Sequence, residues 1–443
     1  MARPRPRPSL SALLLGSVIA ALPFPGHGAT DRPLLIAADG GLSLHAALDA
    51  LESANPAVRA ARLAQQAARA ELARVNVRPN PTVQVQVSNT EARRYPYAGT
   101  DRLLRVEQLI ERGSKRELRT ATAEAVEQAT GLDLADALRR QRVELVIAYL
   151  ELAAAQRLAD LATGNLADYR RLLEATERRV AAGDLAPVDA TRLRVEAERA
   201  ANEERAAQNA RAQARLGVAV LLGAEAQAAR LRAIDPLDGR EPMARLADEA
   251  RVTLERGLDA AIGRRPDLRA AERRLSAARQ AWALAASLRT RDVMLGVQAD
   301  RAPGFGGTVF GISATVPLFV NNDFSGEIAR AQADVDAAQA ALERTRAAAL
   351  AEALRAHEQL QSAVQRSLRL LDQTLPAAQR VADALEIAYQ QGAASLTDLF
   401  DARRQRSAVQ AESIRAQADV GQAHAAWRAA IDGEADAAPP GKP

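Results

Sequence analysis

Along most of this chain, apolar positions recur every three, four or seven residues, and Ala, Arg, Glu and Gln fill the gaps. Leu138, Leu145, Leu152, Ala159, Leu166, Leu173 and Val180 follow one another at spacings of seven. That seam predicts a very long helix over about 116–182 with coiled-coil-like packing. At 1.5 Å per residue it would reach about 100 Å. Ala148, Ala155 and Ala162 let neighbouring helices approach closely. Four short stretches break the pattern with strict alternation: TVQVQVSN from Thr82, RLLRVEQLI from Arg102, DVMLGVQAD from Asp292 and TVFGISATVPLF from Thr308. They predict strands over about 81–90, 102–110, 291–300 and 308–319.

The pattern occurs twice. ANPAVRAARLAQQAARAEL from Ala54 aligns with RRPDLRAAERRLSAARQAW, about 210 residues later. The same shift lays Val83, Val85 and Val87 on Val293, Leu295 and Val297, and RELRTATA from Arg116 on GEIARAQA. Gly183 meets Gly392 one residue out of register. A register held this far indicates duplication. Each half reads as helix, β-hairpin, very long helix, tight turn and returning helix. The first half spans 29–235 and the second 236–433. Leading helix 46–77 and returning helix 187–222 together match the long helix, so the two are expected to stack end to end beside it. In the second half the seam runs through Leu354, Leu368, Leu375, Ala382 and Tyr389, with Gln361 interrupting it, and Leu396–Ile431 returns.

Each strand has an apolar and a polar face. Val83, Val85 and Val87 oppose Gln84, Gln86 and Ser88; Leu104 and Val106 oppose Arg105 and Glu107. Val293, Leu295 and Val297 share a face, as do Phe310 and Ile312. Two readings fit this alternation: a half-buried sheet in a soluble protein, or tilted transmembrane strands with lipid outside and water inside. A membrane barrel must close and needs at least eight strands. Two hairpins per chain therefore demand a barrel shared among subunits, with loops 91–101 and 301–307 facing outward and the long helices forming a second wall below.

Composition adds a class and removes others. Aromatics are 3% and charged residues 26% of the 443 residues. That balance favours long helices over an aromatic-rich globular core. Arg3, Arg5 and Arg7, then an apolar run from Leu10 to Leu22, then small residues, give residues 1–28 the layout of a secretory signal. Without those three arginines the formal charge of +4 falls to about +1, giving no argument for nucleic acid. There is no cysteine, hence no disulfide, thiolate metal site or acylation site in this sequence. His27, His45, His357 and His424 are far apart, and no GxSxG, Walker, Rossmann or HExxH pattern occurs. We expect no catalytic, cofactor or metal site, and no enzyme. Trp282 and Trp427 are expected in helix packing, and the tail 434–443 as disordered.

The turns read locally. Gly183 follows a helix end as a C′ residue, and Pro187 takes a first-turn position. Asp189 stands six residues after Gly183, as Asp398 does after Gly392, with Asp401 one turn later. Aspartate is common at solvated helix N-termini.

In this order, RRPDLRAAERRLSAAR from Arg264, TVPLF from Thr315 and the turns AAGDLAPVDATR and YQQGAASLTDLFDARR resemble the TolC family of outer-membrane efflux ducts. EQLIERGSKRELR from Glu107 resembles the cobalt–zinc–cadmium (CzcC-like) branch, although the branch's GGKR stands here as Gly113-Ser114-Lys115-Arg116. The resemblance implies a homotrimer: a 12-stranded outer-membrane β-barrel continued by a periplasmic α-helical barrel. It implies a passive duct working with a periplasmic adaptor and an inner-membrane resistance–nodulation–division pump, with heavy-metal cations as cargo. It implies an aperture ring at Asp398 and Asp401 and a constriction network with Asp189 and Tyr389; where some members carry an arginine, this chain has Ala394. The adaptor would meet the turns Gly183, Asp184, Leu185, Ala186, Pro187 and Gly392, Ala393, Ala394, Ser395. A type I protein-secretion duct and a soluble periplasmic coiled-coil scaffold are the alternatives.

Overall fold

The computed structural model describes residues 40–90, 99–183, 185–237, 240–255, 257–302 and 306–431. The signal segment, Asp184, residues 91–98 and 303–305 of the hairpin loops, and the tail 434–443 lie outside the described residues. In chain order the elements are β1 (Gly41–Leu42), α1 (Leu44–Ala54), α2 (Pro56–Val75), β2 (Thr82–Thr90), β3 (Gly99–Ile110), α3 (Lys115–Ala181) and α4 (Pro187–Leu221). After a 3₁₀ turn at Glu225–Arg230 come β4 (Arg232–Ala233), α5 (Arg240–Glu255), α6 (Leu258–Ile262) and α7 (Pro266–Ser287). Then follow β5 (Val293–Arg301), β6 (Val309–Thr315), α8 (Ser325–Arg369), a π-helical turn at Leu370–Thr374, α9 (Leu375–Gln390) and α10 (Leu396–Ile431).

The expected long helix is α3, 67 residues and about 100 Å. No proline interrupts it, and Leu145, Leu152, Ala159 and Leu166 of its seam are buried. The leading helix is in fact two, α1 and α2. Pro56 biases Asn55 away from helical geometry, and Asn55 sits at φ −68°, ψ 127°. Its Oδ1 then accepts from the N–H groups of Ala57 and Val58, at 2.8 and 3.1 Å, and caps α2.

The second long helix keeps Leu368 and Ala382 of the predicted seam in its packing but departs from it at Leu354. Leu354 is 44% exposed. The buried stripe of α8 is instead Ala349, Ala353, Ala356, Leu360 and Val364. It packs on Met243 and Ala250 of α5, Leu258 and Ile262 of α6, and Val420 and Trp427 of α10. Small residues win where another element must come close. At Leu370–Thr374 the ladder widens, and Leu375 N–H donates to Leu370 O. Pro376, which has no N–H, follows at once.

The helices form a wall four across. α2 and α4 both lie beside α3, α7 and α10 lie between α3 and α8, and α9 continues α8 against α10. The polypeptide therefore stacks short helices end to end against long ones, as expected. Trp427 is buried in the α5–α6–α8–α10 core, whereas Trp282 of α7 is 40% exposed rather than packed.

The four long strands form one antiparallel sheet, β2-β3-β5-β6. Its order leaves β2 and β6 as edges. β6 stops at Thr315, four residues short of the predicted end, because Pro317 cannot donate to a ladder.

One titratable group in α10 sets a pH window. Burial, with Arg428 nearby, lowers the His424 imidazole to about 4. An unfolded histidine titrates near 6.5, so the unfolded chain binds the proton more readily. Stability is therefore full above about pH 6.5 and falls as pH drops towards 4, by about 3 kcal/mol at most. His424→Gln should flatten this part of a stability-versus-pH profile measured by chemical denaturation. A profile unchanged by the substitution would clear His424 of the effect.

Candidate functional site

The sheet register decides which residues share a face. Val83 pairs with Val106, Val106 with Val297 and Val297 with Ile312. The next row of this face joins Val85, Leu104, Ala299 and Phe310. Val87, Val293 and Leu295 fall on the same face by alternation. Most apolar residues of the four strands thus share one side, where Phe310 and Ile312 are 81% and 90% exposed, while Leu103, Leu109, Met294 and Val309 alternate onto the other. That opposite side carries the polar residues Gln84, Gln86, Ser88, Arg105, Glu107, Gln298 and Ser313. There Arg105 donates to Gln298 Oε1 through Nε and Nη2, at 3.1 and 2.8 Å.

The helical wall also has two unlike faces. Over one face lie α5, α6 and the β1–β4 ribbon. Tyr149 of α3 donates to Leu42 O at 2.8 Å, and Gln156 of α3 binds Ala233 of β4 through both N–H and C=O. Burial pushes the Tyr149 hydroxyl pKa upward. The other face carries open grooves. One of them, about 760 Å³, is bordered by Glu151, Glu203, Arg366, Glu412, Arg415 and Asp419, with Arg366 paired to Asp419. When such a wall closes into a ring, the face loaded with extra elements must lie outside and the grooved, charged face inside.

Both turns end their long helices on glycine in the left-handed region, Gly183 at φ +86° and Gly392 at +75°. Gly392 N–H donates to Tyr389 O, and Ala393 N–H to Ala388 O at 2.8 Å. Pro187 and Leu396 begin the returning helices, placing Asp189 and Asp398 at the same third position. Their surroundings differ. Ser395 precedes α10, and its hydroxyl accepts from Asp398 N–H at 3.2 Å. Asp398 Oδ2 accepts from the hydroxyl and N–H of Ser395 in return, at 2.6 and 3.1 Å. This reciprocal cap holds the Asp398 carboxyl below its usual range, chiefly through the Ser395 hydroxyl. Asp401 is exposed and pairs with Arg404 of its own helix. Asp189 follows Ala186, which cannot cap, and its carboxylate has no partner among the described residues. Tyr389 is half-buried at the end of α9. Behind the turns, each returning helix is tied to its long helix by the same ion pair: Arg194 to Glu177 at 2.6 Å, and Arg403 to Glu386 at 2.8 Å.

Two kinds of joint, the first occurring once in each half, were not assigned from sequence. At the stacking point of α4 and α2, Asn55 Nδ2 donates to Leu221 O and Gln141 Oε1, at 2.9 and 2.8 Å. At the matching point of α10 and α7, Arg265 donates to Ala430 O at 3.3 Å, Asp267 at 2.7 Å and Glu352 at 2.8 Å. Arg139 donates to Ala429 O at 3.1 Å and to buried Asp136. Guanidinium groups thus satisfy the orphan carbonyls at the negative end of α10. The second joint is the Gly-Ser-Lys-Arg stretch. Gly113 (φ +72°) leaves no room for a Cβ, which would fall 2.8 Å from Thr290 Cβ. Lys115, 8% exposed, binds Thr290 O and Asp292, both at 2.8 Å. The motif therefore fastens α3 to the entry of β5. Position within RRPD and GSKR was the only sequence signal, because Lys115 binds the other half of the chain and Arg265 reaches Glu352 and Ala430, 87 and 165 residues away.

A sheet with one apolar face, continued by a hollow-forming helical wall, defines an outer-membrane channel subunit. The profile of the family described as "Outer membrane efflux protein" matches residues 257–433. The cobalt-zinc-cadmium resistance protein CzcC of Cupriavidus metallidurans is 30% identical over 371 residues, covering 83% of this chain and 84% of that protein. Among solved structures, the outer-membrane channel OprN superposes with TM-score 0.72 at 22% identity, covering 88% of this chain and 90% of that one. VceC of Vibrio cholerae gives TM-score 0.74 at 18% identity, covering 88% and 97%. The chain belongs to the outer membrane efflux protein family, the TolC family, and is an outer-membrane efflux channel. It is a passive duct and not an enzyme, which leaves no place for the soluble-scaffold alternative.

Proposed function

We propose that three copies form one duct for metal cations, carried from the periplasm or cytoplasm to the exterior. The observation that carries the shared barrel is the strand order, which leaves β2 and β6 unpaired on a four-stranded sheet too narrow to close. Exposed Leu63, Leu216 and Val220 along the α2–α4 side, and Leu354, Val381 and Ile387 along α8–α9, suit burial between copies. Val83, Val85, Val87, Leu104, Val106, Val293, Leu295, Val297, Phe310 and Ile312 face lipid, and the grooved helical face lines the passage. The likeness to CzcC supports cobalt, zinc and cadmium as cargo. An adaptor docks at Gly183–Pro187 and Gly392–Ser395, and a resistance–nodulation–division pump supplies the energy. Deletion of the gene should raise sensitivity to these metals more than to drugs; equal sensitivity to all would remove the cargo assignment.

Around a threefold axis, Asp398 and Asp401 form a ring that attracts cations. Arg404 tempers Asp401, so Asp398 contributes more of the field. Asp398→Asn with Asp401→Asn keeps an acceptor for the Ser395 cap while removing the charge. Cation preference in planar-bilayer conductance should fall. An unaltered reversal potential would show that the ring does not select.

A further inference from the structure

The apolar sheet face outlasts the hydrogen-bonded ladder. Past Thr315, Val316, Leu318 and Val320 continue the alternation of Phe310, Ile312 and Ala314, with Leu318 74% and Val320 80% exposed. This is the end of the sheet that joins the long helices. At the same level, exposed Arg289 and Arg291 lead into β5. The Arg291 guanidinium carbon stands 5.4 Å from the centre of the Phe319 ring. Phe319 meets Phe324 edge-on, with ring centres 4.9 Å apart.

Phe324 is held at φ +61°, a left-handed conformation that non-glycine residues rarely adopt. Asn322 Oδ1 fixes it by accepting from its N–H at 2.9 Å. The matching residue of the first half, Ser114, is left-handed too but carries no ring. Of the nearby acids, Asp292 binds Lys115 and Glu327 accepts from Asn322, while Asp323 accepts from Ser325 N–H through Oδ1 and from Arg289 Nε through its backbone O at 3.1 Å, leaving Arg291 the arginine of the pair free of an acid among the described residues. Two arginines, an aromatic pair and two exposed aliphatic side chains are therefore gathered where an apolar face gives way to polar structure. A cation over an apolar aromatic ring matches a phosphodiester at the boundary of an acyl layer.

We propose that this belt binds anionic phospholipid in the periplasmic-side leaflet. Arg291 and Arg289 contact the phosphodiester, and Leu318 and Val320 lie along the acyl chain. The proposal rests on the lipid-facing reading of the sheet. The test uses the full-length protein reconstituted in vesicles of phosphatidylethanolamine with or without phosphatidylglycerol, followed by native mass spectrometry of retained lipid. Wild type should retain phosphatidylglycerol preferentially, and Arg291→Gln should weaken retention about fivefold. Phe319→Leu should weaken it less. Heat-modifiable mobility on gels reports assembly independently. Equal retention of both lipids by wild type, or undiminished retention by Arg291→Gln, would overturn the belt. So would complete displacement of lipid by inorganic phosphate alone, the mark of a simple anion site. If Arg291→Gln does not assemble, the wild-type preference and Phe319→Leu decide. Failure of wild type to insert into either vesicle would remove the membrane reading, and the belt with it.

Discussion

Arg265→Ala should cost about 3–5 kcal/mol and sharply reduce the amount of assembled channel. Arg265 is 1% exposed. Its removal strands Asp267 and Glu352 without their nearest cation and leaves Ala430 O, near the end of α10, with no guanidinium. Arg139, 3.8 Å from both Asp267 and Glu352, still offers its charge but lies beyond hydrogen-bond distance of either. Against a typical stability of about 5–15 kcal/mol the loss is large. Arg265→Lys should not rescue, since an ammonium cannot present the same fork to two carboxylates and a carbonyl. Exposed Arg269 is the control, its alanine variant expected within about 0.5 kcal/mol of wild type. Burial alone would raise the Asp267 carboxyl, but the hydrogen bonds and charge of Arg265, with Arg139 and Leu268 N–H, outweigh burial and hold it low. That contribution is present above about pH 4 and lost as pH falls further. Arg265→Ala should therefore also shrink the most acidic part of the stability profile. Equal denaturation midpoints for the alanine variants at 265 and 269 would show that the joint carries no load.

The second large effect compares neighbours on opposite faces of β2. Val85→Arg puts a charge on the apolar side, in the row with Leu104, Ala299 and Phe310. At mid-membrane this costs about 2–4 kcal/mol per chain, repeated in every subunit. Gln86→Arg puts the same charge on the polar side and should be tolerated. Outer-membrane fractionation and heat-modifiable mobility should show Val85→Arg absent and Gln86→Arg present. Equal tolerance of both would mean that the sheet does not meet lipid.

What the sequence disclosed follows from range. Alternation gave every long strand to within a few residues, because one apolar face imposes a period of two whatever lies opposite. The α3 seam was readable for the same reason. The first part of the α8 seam was not: there the stripe answers to α5 and α6, whose approach selects Ala349, Ala353 and Ala356 over Leu354. Pro56 and Pro317 announced breaks that the periodic reading passed over. The Ser395–Asp398 cap was visible as S-x-x-D, whereas Glu352 and Ala430, which meet Arg265, and Thr290 and Asp292, which meet Lys115, lie too far along the chain for spacing to suggest them. Asp398 and Asp401 stand exposed on the first two turns of α10, where Ser395 and Arg404 engage them.

The two open rims of the sheet bear on how such a pore can be born. One chain has two bare edges, and a chain of two joined side by side still has two. Only the arrival that closes the circle removes them, so partial assemblies gain almost nothing in hydrocarbon. Insertion should thus be an all-or-none event that follows encounter of the copies in water, with a steep dependence on concentration.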